Sequence, residues 1–376
     1  MHSRPWLRAL AWIGAAVPLV GMAALALAPV LGLQHRNPIG QLIATRGLLA
    51  AGSFALMLVA AVWFVGGAIR RRRVMAGINP RSRAKNRPVP PRFPAISLTL
   101  ALVAAVSTAV HSGVMWQRGL ERDALVTVEE LAEMPASAGE VTVVALNTQW
   151  ANVPPGEIAR LVRAAGADVV LLPETPIIDA LHVRDLLAFG DAAGDGGREF
   201  TVLPERKGDS RDTSVLVAAD LGAYRSAGSP MVGATQAAPE GEGPVITAIH
   251  ALGPPTPWPF TWIYGGNSSE QIRQNWVADM EASLSTCTAS AWGILGGDFN
   301  GTRDHLAGMH DCGYVDVLLE TGAGGWGTWP DDIPAWMGAP IDRIYVDPAH
   351  WVPLDSWIVD MPGTDHRAVV ARVAVR

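Results

Sequence analysis

No aspartate or glutamate occurs in the first 120 residues of this 376-residue chain; the first acid is Glu121. All 35 acidic residues therefore lie in 121–376 beside 15 of the 29 basic ones, a net of −20, while 1–120 carries 14 basic residues and no acid. A split this sharp describes two objects joined together. Cysteine is nearly absent too: Cys287 and Cys312 are the only two. That excludes a disulfide-dense scaffold and, without any Cys-x-x-Cys pair, a thiolate zinc site. In an oxidising compartment the two could close one loop as a disulfide; two buried thiols are the alternative. No internal repeat of solenoid type is present.

What the first 120 residues do contain is long uncharged runs. Residues 9–34 and 47–69 hold no charge, and 93–117 holds only His111 as a titratable group. A spanning helix needs roughly 20 apolar residues, and each run reaches that. The expectation is a membrane region over 1–117 with three transmembrane helices. A cleavable signal peptide competes for the first run, on the small-residue stretch ALALAP, but the run is longer than a signal core and two more follow. Between the second and third runs lies RRRRVMAGINPRSRAKNRPVPPR, residues 70–92, with nine Lys/Arg and no acid. The positive-inside rule places it in the cytoplasm; a nucleic-acid-binding tail would not sit between two spans. The expectation is thus a multi-pass cell-membrane protein with the lipid bilayer as partner and everything after residue 118 on the extracytoplasmic side. No obligate protein partner is expected, and three spans without an acid offer a transporter no ion path.

Residues 118–139 read as a polar, partly helical connector. Short apolar runs rich in Val, Ile and Leu follow, at 140–148, 167–174, 212–219, 244–251, 291–299, 341–347 and 367–375. These predict strands. PPGEIARLVRAAG predicts a helix with Pro at its start and Gly166 at its end. A second helix is expected over 268–287, where Ser268 and Gln271 form a possible capping box. The fold class is α/β (α+β).

Polar residues fall at the ends of these strands: Asn147, Glu174, His250, and the pair Asp298 and Asn300 in GILGGDFN. Asp342 opens PIDRI, and Asp365 and His366 precede the last strand. One such placement is an ordinary turn or cap; six in one chain suggest a shared crevice. Carboxylates without cysteine suit a hard cation, Mg²⁺ first, with Mn²⁺ or Ca²⁺ as alternatives. Histidines supply proton transfer and positive charge near neutral pH. Together they fit metal-assisted hydrolysis of a phosphate ester. Gly296 and Gly297 allow close packing at the Asp298 strand, Asn300 two residues on points to the same side of an extended chain, and Phe299 points into the core.

The set LNTQW, LLPET, IHALGP, GGDFNGT, PIDRI and GTDHRAVV resembles the endonuclease/exonuclease/phosphatase superfamily, the group containing pancreatic-type deoxyribonuclease. The resemblance covers about 140–376. The stretch GTWPDDIPAWMGAPID is similar to one found in bacterial membrane proteins that carry such a domain outside a few amino-terminal spans. It implies a four-layer α/β/β/α sandwich. It also implies roles: Glu174 as main metal ligand with Asn147 beside it, and Asp365 completing the metal site. Asp298 would orient or deprotonate the attacking water and Asn300 would position it or the phosphate. His366 would touch the phosphate, polarised by Asp342, and His250 would be the acid for the leaving oxygen. Asp212 is a weak match for a further carboxylate. Arg343, beside Asp342, should face away from the site.

The substrate is open between a nucleic acid and a phospholipid-type diester. A domain of −20 is a poor general platform for nucleic acid, and Arg206, Lys207 and Arg211 form only a small basic patch. The loop aromatics Trp258, Phe260, Trp262 and Tyr264 suit a membrane interface, or else cap the core. A catalytically silent receptor or scaffold is the competing function; such a copy usually loses some of the motif residues, and none is lost here.

Overall fold

The computed structural model describes residues 5–76, 93–120, 123–190, 197–204, 211–255, 269–289, 292–309 and 313–376. Four helices occupy the first part: α1 (Pro5–Ala26), α2 (Ile39–Ala44), α3 (Arg46–Ala76) and α4 (Phe93–Gln117). The chain divides into two compact units, one of residues 1–33 and 46–114, the other of 34–45 and 115–376.

In the first unit two helices are long and apolar enough to cross a membrane, Arg46–Arg73 and Ile96–Gln117. The first of the three expected runs is helical as α1, within which 16–26 form a shorter apolar stretch. The outer flank of α3 exposes Leu58, Val59, Val62, Trp63 and Val65. Between α3 and α4, Ser53 Oγ lies 2.9 Å from Ser107 Oγ and Arg46 Nη1 lies 3.0 Å from His111 Nδ1. Both contacts are buried between the two helices. Most of the basic loop, 77–92, lies outside the described residues.

The second unit is built on two sheets. Its strands are β1 (Leu125–Val126), β2 (Glu140–Ala145), β3 (Val169–Pro173), β4 (Phe200–Pro204), β5 (Thr213–Ala218), β6 (Tyr224–Gly228) and β7 (Ala234–Pro239), then β8 (Val245–His250), β9 (Gly293–Asp298), β10 (Val315–Asp316), β11 (Asp342–Val346), β12 (Trp351–Val359) and β13 (Ala368–Val375). One sheet runs β1-β12-β13-β2-β3-β5-β4, the other β10-β11-β9-β8-β7-β6. Its helices are α5 (Val128–Ala132), α6 (Pro155–Ala165), α7 (Ile177–Phe189), α8 (Ser269–Ala289), α9 (Arg303–Leu306) and α10 (Val317–Glu320).

Period-two alternation sorts the side chains into layers. Val143, Ala145, Val169 and Leu171 of the first sheet pack against Ile246, Ala248, Ile294 and Ile344 of the second. Their neighbours Val144, Leu146, Val170 and Leu172 turn outward under Ile158, Leu161 and Val162 of α6 and Val183 of α7. Ile249, Leu295, Phe299 and Tyr345 turn outward from the second sheet onto Leu284 and Cys287 of α8. The result is the expected four-layer α/β/β/α sandwich. Each fully buried Val or Leu adds roughly 1.5–3 kcal/mol of transfer free energy.

All seven expected strands are present. Of the strands not foreseen, β1 and β10 are two residues long, β6 carries a register shift, and β12 carries Pro353 beside another, where a missing N–H is tolerated. The connector contributes more than expected: β1 pairs in parallel with β12, Leu125 opposite Ile358. Helix α6 starts with Pro155 and closes on Gly166 at φ 63, as its sequence predicts. Helix α7 was hidden because its apolar residues mark no single face: Ala180, Val183 and Leu187 are buried, while Ile178 and Phe189 are exposed. Ser268 of the expected capping box lies outside the described residues. Cys287 is disulfide-bonded, and Cys312 lies outside the described residues.

Candidate active site

Strand direction gathers the site. β2 and β3 run parallel, as do β8 and β9, so all four carboxyl ends are available at sheet edges. β13 runs antiparallel to β2, and β11 antiparallel to β9, so their amino ends lie at those same edges. Register then sets His250 opposite Asp298, and Asp298 opposite Asp342. The sandwich closes the two edges over each other, and hydrogen bonds cross between the sheets.

Asp298, 1% exposed, is at the centre. Asn147 Nδ2 donates to Asp298 Oδ2 and to Glu174 Oε1, each at 3.0 Å. The Asn300 N–H donates to Asp298 Oδ1 at 2.7 Å, and Asn300 Nδ2 reaches Asp298 Oδ2 at 3.2 Å. His366 Nδ1 lies 2.9 Å from Asp342 Oδ2, and its Nε2 lies 3.9 Å from both Asp298 Oδ2 and Asp365 Oδ1. His250 Nε2 lies 3.3 Å from Glu174 Oε1. Asp365 stands at the rim, where it accepts from Trp329 Nε1 at 2.8 Å. The eight expected residues therefore form one network. Within it Asn147 turns its amide nitrogen to the carboxylates, and its oxygen accepts from the Gln149 N–H at 2.9 Å.

The backbone is strained where the site needs it. Glu174 has φ 56, Asn300 φ 47, and Gln149, Trp150 and Ala151 have φ 48, 61 and 57. Left-handed non-glycine residues cost of order 1–3 kcal/mol each and collect at functional sites. The 149–151 turn brings the Trp150 N–H to Glu174 Oε2 at 2.9 Å. The expectation of an extended chain through Asn300 is corrected here: the strand ends at Asp298, and a left-handed turn brings Asn300 back to it. Gly297 has φ 127, and a Cβ there would sit 2.2 Å from Ile249 O, which explains the glycine. Phe299 does enter the core, 5.4 Å edge-on to Tyr345.

Burial and the Asp342 charge push the Asp298 carboxyl well above the usual range, against His366 and the donated hydrogen bonds. Burial works against a charged His366, but Asp342, Asp298 and Asp365 outweigh it and raise its pKa. Burial, with Arg211 and His366, pushes His250 down to about 3, so it is neutral at pH 7. The centre thus holds one imidazolium among carboxylates and one neutral imidazole.

The donor set fits a hard divalent cation. Oxygens of Asp298 and Asp342 and a nitrogen of His366 lie within 4.8 Å of one another; the carboxylate oxygens are the hard donors, since His366 has a lone pair to give only when neutral. Asp342 Oδ1 is buried with no hydrogen-bond partner, an orphan that a cation would satisfy.

Several supporting residues gave no sequence signal beyond their motif neighbours. Thr364 Oγ1 donates to Asn147 O at 2.8 Å and accepts from the His366 N–H at 3.1 Å. Thr328 Oγ1 accepts from the Asp342 N–H at 3.1 Å. Arg211 is no solvated patch: its Nη1 donates to Asp279 at 2.5 Å and to His250 O at 3.4 Å. Arg206, Lys207 and the aromatics at 258, 260, 262 and 264 lie outside the described residues. Arg343 is fully buried away from the site, bonded to Asp316.

Two face-to-face sheets with this acid, amide and imidazole network at their shared edge define a class, the metal-dependent hydrolases of phosphate ester bonds. The chain belongs to the endonuclease/exonuclease/phosphatase family, whose model matches residues 144–366. Among solved structures it is similar to TDP2 from C. elegans, at 15% identity over 62% of this chain and 75% of that one, TM-score 0.43. It is also similar to an endonuclease/exonuclease/phosphatase from Beutenbergia cavernae DSM 12333, at 17% identity over 63% and 72%, TM-score 0.42. A third is the 3′ phosphatase NExo from Neisseria bound to a product DNA hairpin, at 15% identity over 61% and 98%, TM-score 0.43. No curated protein matches the chain significantly.

Proposed function

We propose that this chain is a membrane-anchored phosphodiesterase that hydrolyses its substrate outside the cytoplasm by metal-assisted attack of water. The observation that carries the reading is the buried Asp298, Asp342 and His366 group, tied through Asn147 to Glu174. Burying two carboxylates so close is costly, and a silent scaffold has no reason to keep them.

Glu174, with Asp365 completing the site, would hold the cation, which would polarise a phosphoryl oxygen and offset its charge; Asn147, whose oxygen is taken by the Gln149 N–H, would orient Glu174 by donating to it. Asp298 orients the attacking water and takes its proton; the elevated pKa brings its basicity toward neutral pH. Asn300 holds that water and a phosphoryl oxygen in line. His366, kept cationic by Asp342, faces the charge that grows on the phosphoryl oxygens. His250, neutral, hydrogen-bonds to the leaving oxygen.

Three spans, at 9–34, 47–69 and 93–117, remain the preferred membrane reading, with 140–376 as the catalytic domain. Segment 34–45 belongs to the same compact unit as 115–376. Both must then lie on one side of a membrane, which suits α3 and α4 crossing as a pair around the basic loop. The substrate is a nucleic acid or a phospholipid-type diester, and the charge of −20 disfavours long nucleic acids.

The test is a panel on the full chain in detergent with Mg²⁺: bis(4-nitrophenyl) phosphate, single- and double-stranded DNA, RNA and phospholipid vesicles. Hydrolysis that disappears in Asp298→Ala and in EDTA, and returns with Mg²⁺, supports the reading. Turnover retained by a folded Asp298→Ala, or resistant to the chelator, refutes it.

A further inference from the structure

Residues 34–45, between α1 and α3, are seated on the catalytic unit by specific contacts. Gln34 Nε2 donates to Ala307 O at 3.0 Å, and Gln41 Nε2 to Pro255 O at 2.5 Å. His35 Nε2 lies 2.7 Å from His305 O, and His305 Nε2 lies 3.0 Å from Gly40 O. Trp276 of α8, 1% exposed, stands edge-on to both imidazoles, 5.7 Å from His35 and 5.0 Å from His305. A Cβ on Gly40 would meet Gln34 O at 2.7 Å, so the turn closes this tightly only on glycine.

These partners lie on the segments that leave the catalytic strands: Pro255 follows β8, and His305, in α9, and Ala307 follow β9. The same Trp276 donates its indole N–H to Asn300 O at 2.9 Å. Asn300 sits at φ 47, in the left-handed region that asparagine enters more readily than other L residues but still at a cost its surroundings must offset. Its side chain is anchored from the other side, Nδ2 donating to Ala251 O at 2.8 Å. The indole is therefore one of the groups that keep Asn300 turned back onto Asp298, and the inter-helix segment is what packs against that indole.

We propose that residues 34–45 are a working part of the catalytic centre: a clasp that, through His35, His305 and Trp276, fixes Asn300 in its productive conformation. His35, His305 and Trp276 are positioning residues. The inference rests on the reading of Asn300 as the residue that orients water and phosphate. Its consequence is that activity depends on chain lying between two apolar helices, far in sequence from every motif residue.

The experiment uses the full chain in detergent, bis(4-nitrophenyl) phosphate and Mg²⁺. His35→Ala and Trp276→Phe are each made alone and in the Asn300→Ala background, and melting temperatures verify folding. His35 is only half-buried, and Trp276→Phe keeps a ring while removing the N–H donor, so the two fail independently. Each variant alone should lower kcat about tenfold, the size of one lost hydrogen bond, with KM changed by less than about twofold. In the Asn300→Ala background neither should lower kcat further, because the group they position is gone. The clasp is overturned by unchanged kcat in both single variants, or by an equal fold-loss with and without Asn300. Full activity in Asn300→Ala alone would instead overturn the role of Asn300 on which the clasp rests.

Discussion

Acidification should loosen the catalytic unit through His305, and the size of the effect follows from its surroundings. The ring is 2% exposed. The Thr302 N–H donates to Nδ1 at 2.9 Å, so that nitrogen carries a lone pair and the proton belongs on Nε2, which faces Gly40 O at 3.0 Å. A second proton on Nδ1 would point at the Thr302 N–H. Burial lowers the pKa first, His35 and Arg118 add to it, and the Gly40 carbonyl and Asp304 oppose it; the result is about 4 against an ordinary 6.5. The folded value is below the unfolded one. Above about pH 6.5 neither state binds the proton and the full contribution is present; as pH falls toward 4 the unfolded chain takes up the proton first, and stability is lost. The interval corresponds to about 3 kcal/mol in all, roughly 2–3 of it gone by pH 4.5. Other groups titrate as well: His250 acts in the same direction, and Asp298, with its raised pKa, in the opposite one. The informative quantity is therefore the gap between wild type and His305→Gln. Guanidinium unfolding of the full chain in detergent, followed by tryptophan fluorescence at pH 7.5, 6.5, 5.5 and 4.5, measures it. The variant should be the less stable at pH 7.5 and the gap should narrow by roughly 2–3 kcal/mol by pH 4.5. A gap constant across that range would refute the assignment of a neutral, buried His305.

Gly297→Ala should destabilise the catalytic unit by about 3 kcal/mol or more and lower Tm on the order of 10 °C, because φ 127 and the 2.2 Å approach to Ile249 O leave a methyl no place; an unchanged melting curve would contradict the close packing of β8 on β9. A reporter fused after residue 376 should be active only outside the cytoplasm, and a signal confined to the cytoplasm would overturn the proposed topology.

The motif residues were readable because each borders a run of Val, Ile and Leu, at its end or at its start, where the chain turns. GILGGDFN and AVVARVAV identify their strands by composition, and a carboxylate or imidazole beside such a run has few other reasons to be there. Helix α6 was readable from Pro155 and Gly166. Helix α7 was not, since its apolar residues are spread among Asp179, His182, Arg184 and Asp185 without a helical period. The turn at Asn300 was not readable either: an isolated Asp-Phe-Asn continues a strand as easily as it leaves one, and the choice belongs to Trp276 and Ala251.

By itself the sequence determined the division into an acid-free apolar part and an acidic part, the principal strands, and the identity of the residues at the site. The pairing of Asp342 with His366 was already implied by the resemblance, but only the tertiary structure decided the other meetings: that Asn147 bridges Glu174 to Asp298, and that β1 joins the first sheet. It alone seated 34–45 beside His305, some 265 positions along the chain from Gly40. The physical reason is range. Backbone preference and hydrophobic period act over a few neighbouring residues, whereas these pairings exist only once two sheets have closed on each other and brought distant strand ends to one edge.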